Sequence, residues 1–165
     1  MMSHPAPKLL SADKTARYRE VASEIAAVLQ GETNTVARMA TISSMLAAAF
    51  ETFFWTGFYV VDPEKRAELV VGPYQGTLGC LRIAFGRGVC GAAAARGQSL
   101  IVPDVSAFAG HIACDSRSQS EIVVPVFDGA GVLIAVLDVD STQLDAFDPV
   151  DAQELEAIVR WVNPA

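Results

Sequence analysis

Basic residues are nowhere concentrated in this chain. Its 12 Lys and Arg are outnumbered by 19 Asp and Glu, for a net charge of −7. Without a Lys/Arg cluster there is no electrostatic footprint for a phosphate backbone, which excludes nucleic acid as a partner. The acidity itself implies solubility and identifies no ligand. Long apolar runs are missing too: the longest, Val132 to Leu137, is far too short to span a bilayer. The opening Met1-Met2-Ser3-His4-Pro5-Ala6-Pro7 has no charged segment leading into an apolar one. Residues 1–10 are therefore expected to form a flexible tail rather than a signal peptide, with residues 11–165 as one cytoplasmic domain. Charged residues at 19% and hydrophobic ones at 52% exclude disorder away from the ends. No internal repeat or low-complexity linker divides the chain. Cysteine is sparse, and its count of three is odd, which argues against a static disulfide framework.

What is present is the placing of those cysteines. Cys80, Cys90 and Cys114 fall in Gly79-Cys80, Gly88-Val89-Cys90-Gly91 and His111-Ile112-Ala113-Cys114-Asp115, each of which reads as a turn or loop. Structural thiols usually sit among aliphatic neighbours, where burial raises their pKa and makes them inert. Thiols on loops can ionise, be approached and be brought together. In a reducing cytosol, any disulfide among them should be transient and catalytic or sensory.

The remaining pattern predicts two amphipathic helices, then strands, then a closing helix. Ser11 or Asp13 can cap the first helix, whose apolar positions Tyr18, Val21, Ile25, Val28 and Leu29 run up to Gly31. Thr33 or Asn34 can cap the second, with Val36, Met39, Ala40, Ser43, Leu46, Ala47 and Phe50 along one stripe. Strands are expected at residues 56–61, 67–71, 81–85, 100–102, 121–127 and 132–139, with a break at Gly72-Pro73-Tyr74-Gln75-Gly76 and a short helix over 92–96. The long polar segment from Pro103 to Ser120 reads as a functional loop. Asp148-Pro149 starts the last helix, through Trp161. Hairpin connections without regular helical crossovers favour an antiparallel sheet in an α+β domain.

Several constellations then compete. Gly86-Arg87-Gly88-Val89-Cys90-Gly91 fits a dinucleotide-binding glycine pattern, with Asp104 beyond the next strand. Hairpin strands and a short helix are the wrong context, so tight backbone turns are the better account. Cys80, Cys90, Cys114 and His111 could ligate a metal, but no cysteine pair has the close spacing of a zinc knuckle. His111 is either a loop residue bonded to backbone or a partial charge that lowers the thiolate pKa of Cys114. Asp138 and Asp140 alternate onto one sheet face at the end of an aliphatic strand. The hairpin through Asp128-Gly129-Ala130-Gly131 brings Glu121 near Asp138. Three such carboxylates either repel one another in solvent or surround a cation, and close approach would raise a pKa and supply a proton donor. Trp55 and Tyr59 also share a strand face, as core packing or as the wall of a pocket for a small apolar group.

Trp55-Thr56-Gly57-Phe58-Tyr59, Gly72-Pro73-Tyr74-Gln75-Gly76, Gly86-Arg87-Gly88-Val89-Cys90-Gly91, Val102-Pro103-Asp104-Val105, Gly110-His111-Ile112-Ala113-Cys114-Asp115, Ser120-Glu121-Ile122-Val123-Val124-Pro125 and Leu137-Asp138-Val139-Asp140-Ser141 occur in this order. Together they resemble the free methionine-(R)-sulfoxide reductases, stand-alone GAF-domain enzymes, over roughly residues 18 to 160. The sequence departs from that family at Thr77-Leu78-Gly79, at Ala84 where a proline is usual, and at Ala95-Arg96-Gly97.

The resemblance implies a GAF fold with a six-stranded antiparallel sheet flanked by N-terminal and C-terminal helices. It also implies reduction of free L-methionine (R)-S-oxide to L-methionine under oxidative stress. In that scheme Cys114 attacks the sulfoxide sulfur and becomes a sulfenic acid, Cys80 condenses with it to a disulfide, and thioredoxin recycles the pair. Cys90 would be an auxiliary thiol and alternative partner of Cys80. Glu121, Asp138 and Asp140 would hold the substrate ammonium, with Trp55 and Tyr59 around the ε-methyl. A homodimer is implied; no cofactor and no resident metal are. The alternative from another class is a non-catalytic GAF module that binds a small ligand or senses oxidants. Expecting no output domain beside this one disfavours it.

Overall fold

Alternation along the last hairpin sets the architecture. In the computed structural model, which describes residues 14–164, Ala135, Leu137 and Val139 join one apolar core while Val136 joins another. A strand that is apolar on both faces must be covered on both. The elements run in the order α1 (Lys14–Val28), α2 (Thr35–Ala49), β1 (Trp55–Val61), β2 (Glu68–Gln75), β3 (Arg82–Ala84), α3 (Gly88–Arg96), β4 (Leu100–Val102), a 3-10 turn (Val105–Ala107), β5 (Ser120–Phe127), β6 (Leu133–Ser141) and α4 (Pro149–Ile158), the last continued by a 3-10 turn, Val159–Trp161. The six strands form one antiparallel sheet in the order β3-β2-β1-β6-β5-β4. The α+β, six-stranded expectation is met, and an antiparallel sheet removes the doubly wound context a dinucleotide fingerprint requires.

One face of the sheet carries α1, α2 and α4. Tyr18, Ile25, Ile42, Leu46, Phe58, Ile122, Leu137 and Leu155 are all fully buried between them. Asn34, one of the two expected caps, accepts from the Ala37 N–H at 3.0 Å and starts α2. The buried stripe of that helix is rotated from the expected one: Val36 and Ala40 are exposed, whereas Ile42 and Ala49 are buried. Small residues at 40 and 47 carry too little apolar area to fix the orientation against Ile42 and Leu46. Asp148 caps α4 in a reciprocal capping box with Asp151, with Pro149 in the first turn. Tyr18 donates to Asp151 Oδ1 at 2.6 Å and Lys14 to Oδ2 at 2.8 Å, which ties α1 to the start of α4. The expected caps Ser11 and Asp13, and the expected tail over 1–10, lie outside the described residues.

The opposite face carries α3 and the loops. Several expectations change here. The helix begins at Gly88 rather than Ala92, so Cys90 lies in its first turn and is buried, not on a loop. Gly91 is a contact rather than a turn: a Cβ there would sit 2.3 Å from the Ala84 carbonyl oxygen. Strand β2 also continues through Gly72-Pro73, in place of the expected break. A bulge between Gly57 and Tyr59 absorbs the irregularity, and β3 pairs only with residues 68–70, so the missing proline N–H has no strand to serve. Among the described residues no helix is long and apolar enough to cross a membrane.

Candidate active site

Register places the acids. Glu121 lies opposite Asp140 on β6, and Asp138 lies opposite Val123. On the other side of β6, Trp55 pairs with Asp140, Gly57 with Asp138 and Tyr59 with Val136. All these side chains share the sheet face covered by α3, so alternation of apolar and acidic residues brings Trp55, Tyr59, Glu121, Asp138 and Asp140 into one cavity. The direct partner of Glu121 is Asp140, and its carboxyl bonds diagonally to that of Asp138. The cavity measures about 40 Å³, room for a few waters.

Burial dominates the electrostatics. Glu121 and Asp138 are each 5% exposed. Desolvation pushes the pKa of Glu121, Asp138 and Asp140 well above the usual carboxylate range, and mutual repulsion pushes in the same direction. Asp138 Oδ1 is buried without a hydrogen-bond partner. The Cys90 thiol, 3.9 Å from Glu121 Oε1, is raised as well, by burial first and by Asp138 second. It is held as a thiol among acids. Tyr59 is pushed up by burial and then by Asp138, and accepts from the Cys80 backbone N–H.

Trp55 stacks on Tyr59 at 5.6 Å and on Tyr74 at 4.9 Å, and its indole N–H donates to the Thr77 carbonyl at 2.9 Å. Gly79 closes over this pair; a Cβ there would lie 2.9 Å from the Trp55 ring and 3.1 Å from the Tyr59 hydroxyl. Cys80 follows at once and is bonded to Cys114 as a disulfide, with Cα atoms 5.5 Å apart. Cys114 lines the cavity and Cys80 joins it from behind Gly79. With these two sulfurs joined, the quartet of Cys80, Cys90, Cys114 and His111 is not one donor set. Among the described residues, the donors that converge are Cys90, Glu121 and Asp138, all buried.

His111 turns away from its expected role. Its Nε2 lies 3.4 Å from Glu121 Oε2, and burial lowers its pKa, so the ring is neutral at pH 7 and brings no positive charge to Cys114. Sequence reasoning missed the clamp beside Cys114. Asp115 accepts from Thr77 Oγ1 at 2.8 Å and from the Arg117 guanidinium at 2.8 and 3.0 Å, which holds its carboxyl well below the usual range. Arg117 in turn lies over the Phe54 ring at 4.9 Å. The Asp115-Ser116-Arg117 spacing is the available signal, since an Asp two residues before an N–H forms an Asx turn.

The arrangement combines a dithiol/disulfide couple, a wall of buried acids able to carry protons or pair with a cation, and an aromatic shelf. Residues 37–160 match the GAF domain family. The chain is 42% identical over 147 residues to the free methionine-R-sulfoxide reductase of Escherichia coli (strain K12), covering 89% of this chain and 87% of that protein. It is 39% identical over 137 residues to the enzyme of the same name from Saccharomyces cerevisiae, covering 81% and 76%. The crystal structure of free methionine-R-sulfoxide reductase from Neisseria meningitidis in complex with its substrate superposes with a TM-score of 0.89 at 47% identity, covering 96% of this chain and 93% of that one. By motif order, fold and similarity over most of its length, the chain belongs to the GAF-domain free methionine-R-sulfoxide reductase family.

Proposed function

We propose that this chain reduces free L-methionine (R)-S-oxide to L-methionine in the cytoplasm, with Cys114 as nucleophile, Cys80 as resolving thiol and thioredoxin as reductant. The observation that carries this reading is the disulfide of Cys80 with Cys114 beside a cavity walled by the buried Glu121 and Asp138 and the half-buried Asp140. The Cys114 thiolate attacks the sulfoxide sulfur, and a proton from the acid wall goes to the oxygen, because oxide is not a viable leaving group at neutral pH. The sulfoxide S–O bond breaks as the protonated oxygen passes to the Cys114 sulfur, so methionine departs as the thioether and Cys114 is left as a sulfenic acid. The Cys80 thiol then attacks the Cys114 sulfur; an S–S bond forms, the S–O bond breaks and water leaves. Thioredoxin dithiol exchanges with this disulfide, so the two electrons that reduced the sulfoxide come from thioredoxin.

The raised carboxyls serve two purposes. An acid that keeps its proton at neutral pH can donate it, and an ionised neighbour can pair with the substrate ammonium. A peptide-bound methionine has no such ammonium and leaves the acids unpaired, which selects the free amino acid. Trp55 and Tyr59 hold the ε-methyl and distinguish the R epimer. Ligand sites are typically about 300–1,000 Å³, and the cavity beside the closed disulfide is about 40 Å³. Substrate therefore enters the reduced form, after the Cys114 loop has parted from Cys80.

The test is NADPH consumption through thioredoxin reductase and thioredoxin, with each epimer of free methionine sulfoxide supplied separately. The R epimer should turn over and the S epimer should not. Silence with both epimers would leave a non-catalytic binding or sensing module, and equal rates would sink the aromatic assignment.

A further inference from the structure

The thiol that the proposed cycle leaves unused lies in an unusual place. Cys90 is in the first turn of α3, 3% exposed, in a protein whose other two cysteines are bonded to each other. Its sulfur, a carboxylate oxygen of Glu121 and one of Asp138 all lie within 4.8 Å of one another. Asp138, itself 5% exposed, aims into the same cavity with Oδ1 unpartnered. His111 Nε2 stands 3.4 Å from the far oxygen of Glu121. Burying thiol, carboxyl and carboxyl together is costly unless their charges are neutralised or their lone pairs taken up.

We propose that Cys90, Glu121 and Asp138 form a binding site for a thiophilic divalent ion of the zinc class, with a water as the fourth ligand. One sulfur and two carboxylate oxygens, with a water in the fourth position, are a donor set that zinc accepts in four-coordinate geometry. Zn–S bonds of about 2.3 Å and Zn–O bonds of about 2.1 Å place such donors roughly 3.5 Å apart. The Cys90–Glu121 separation of 3.9 Å is close to that already. As the ion enters, the thiol and carboxyl protons leave to solvent, so one divalent charge replaces several protons in the buried cluster. A cavity of about 40 Å³ admits an ion with a water even while the disulfide is closed. An ion there takes two of the carboxylates assigned to the substrate ammonium, so zinc and the free amino acid exclude one another. That consequence rests on the proposed function; metal binding itself does not.

The oxidised protein makes the test clean, because Cys90 is then its single thiol. Co²⁺ is titrated into oxidised wild-type protein and followed by absorption. One equivalent should bind with a near-ultraviolet thiolate-to-cobalt band and visible bands of four-coordinate intensity, and Zn²⁺ should displace it stoichiometrically. The thiolate band should vanish in Cys90→Ser, and Co²⁺ affinity should fall at least tenfold in Asp138→Asn. No thiolate band in the wild type overturns the proposal, as does an undiminished band in folded Cys90→Ser or unchanged affinity in Asp138→Asn.

Discussion

Replacing Asp138 by Asn should make the resting protein more stable and the enzyme worse, with a pH dependence fixed by the buried cluster. Asp138 has an ordinary carboxyl value of 3.8, raised by burial and by Glu121 beside it. The native state therefore holds a proton that the unfolded chain has released, and more protons bound in the native state means that stability falls as pH rises. While that proton is retained, the fall is about 1.4 kcal/mol per pH unit. Asp138 thus costs the native state stability that an uncharged asparagine in its place would not cost, and the cost grows as pH rises. Urea unfolding of the oxidised proteins at about pH 5, 6 and 7 measures the difference directly. The wild type should lose stability across this range and the variant should lose markedly less, so their curves diverge with pH. Parallel curves, or a variant that gains nothing at neutral pH, would refute the claim that this carboxyl is held protonated. Binding should move the opposite way. A charged hydrogen bond to the ammonium is worth about 1.5–3 kcal/mol, so KM should rise about ten- to a hundredfold. A fall in kcat as well would identify Asp138 as a proton donor.

Cys114→Ser should release no methionine even in a single turnover, since a serine hydroxyl is a far poorer nucleophile than a thiolate; a stoichiometric burst in rapid-quench assays would place the nucleophile elsewhere. Cys80→Ser should complete one turnover and stall under thioredoxin, leaving a sulfenic acid on Cys114 that a dimedone probe traps; sustained turnover would make Cys90 the resolving thiol. N-acetyl methionine sulfoxide, lacking the ammonium, should lose at least about tenfold in kcat/KM, and equal turnover of the acetylated compound would remove the acids from substrate binding. In Gly57→Ala the new Cβ would meet Tyr74 Cβ at 2.1 Å across the β1/β2 bulge. Thermal unfolding should show a loss of about 1–3 kcal/mol, with a KM rise because Gly57 lies between Trp55 and Tyr59; an unperturbed protein would show that the bulge yields freely.

The acid wall is legible in the sequence because β-strand alternation is a strict rule. Asp138 and Asp140 must share a face, and the hairpin turn brings Glu121 to that face, although the turn does not distinguish a direct partner from a diagonal one. Trp55 and Tyr59 follow by the same rule. Glycine is what misleads. Gly88 has φ +59° and fits the expected turn, but Gly91 exists to let α3 approach the Ala84 carbonyl. One symbol in the sequence carries both meanings, so glycine spacing alone starts the helix too late and puts Cys90 on a loop. The expected break at Pro73 fails for a related reason: a proline ends a strand only when a neighbour needs its N–H, and pairing partners are not written locally. Sequence proximity sets His111 beside Cys114, whereas the fold points its ring at Glu121. The Asp115–Arg117–Thr77 clamp needs a contact across 38 positions, which no local pattern contains.

The division between sheet and loop follows from what each group must do in the proposed cycle. Cys114 has to meet the sulfoxide sulfur, then Cys80, while thioredoxin must reach one sulfur of the disulfide. One sulfur cannot serve these partners from a position fixed by a hydrogen-bonded ladder. It lies instead in a segment with neither helix nor strand, joined to the 77–81 turn by the disulfide and by Thr77–Asp115. The acids have the opposite requirement. Their raised pKa values depend on burial and on fixed separations, and both would relax on a loop open to water. Placing Glu121 on β5 and Asp138 and Asp140 on β6, each strand paired on both sides, holds the repelling groups together at the expense of stability. In the proposed cycle the nucleophile moves while the proton source stays still, so that reduction of the disulfide would open the cavity without altering the acid wall assigned to the amino acid.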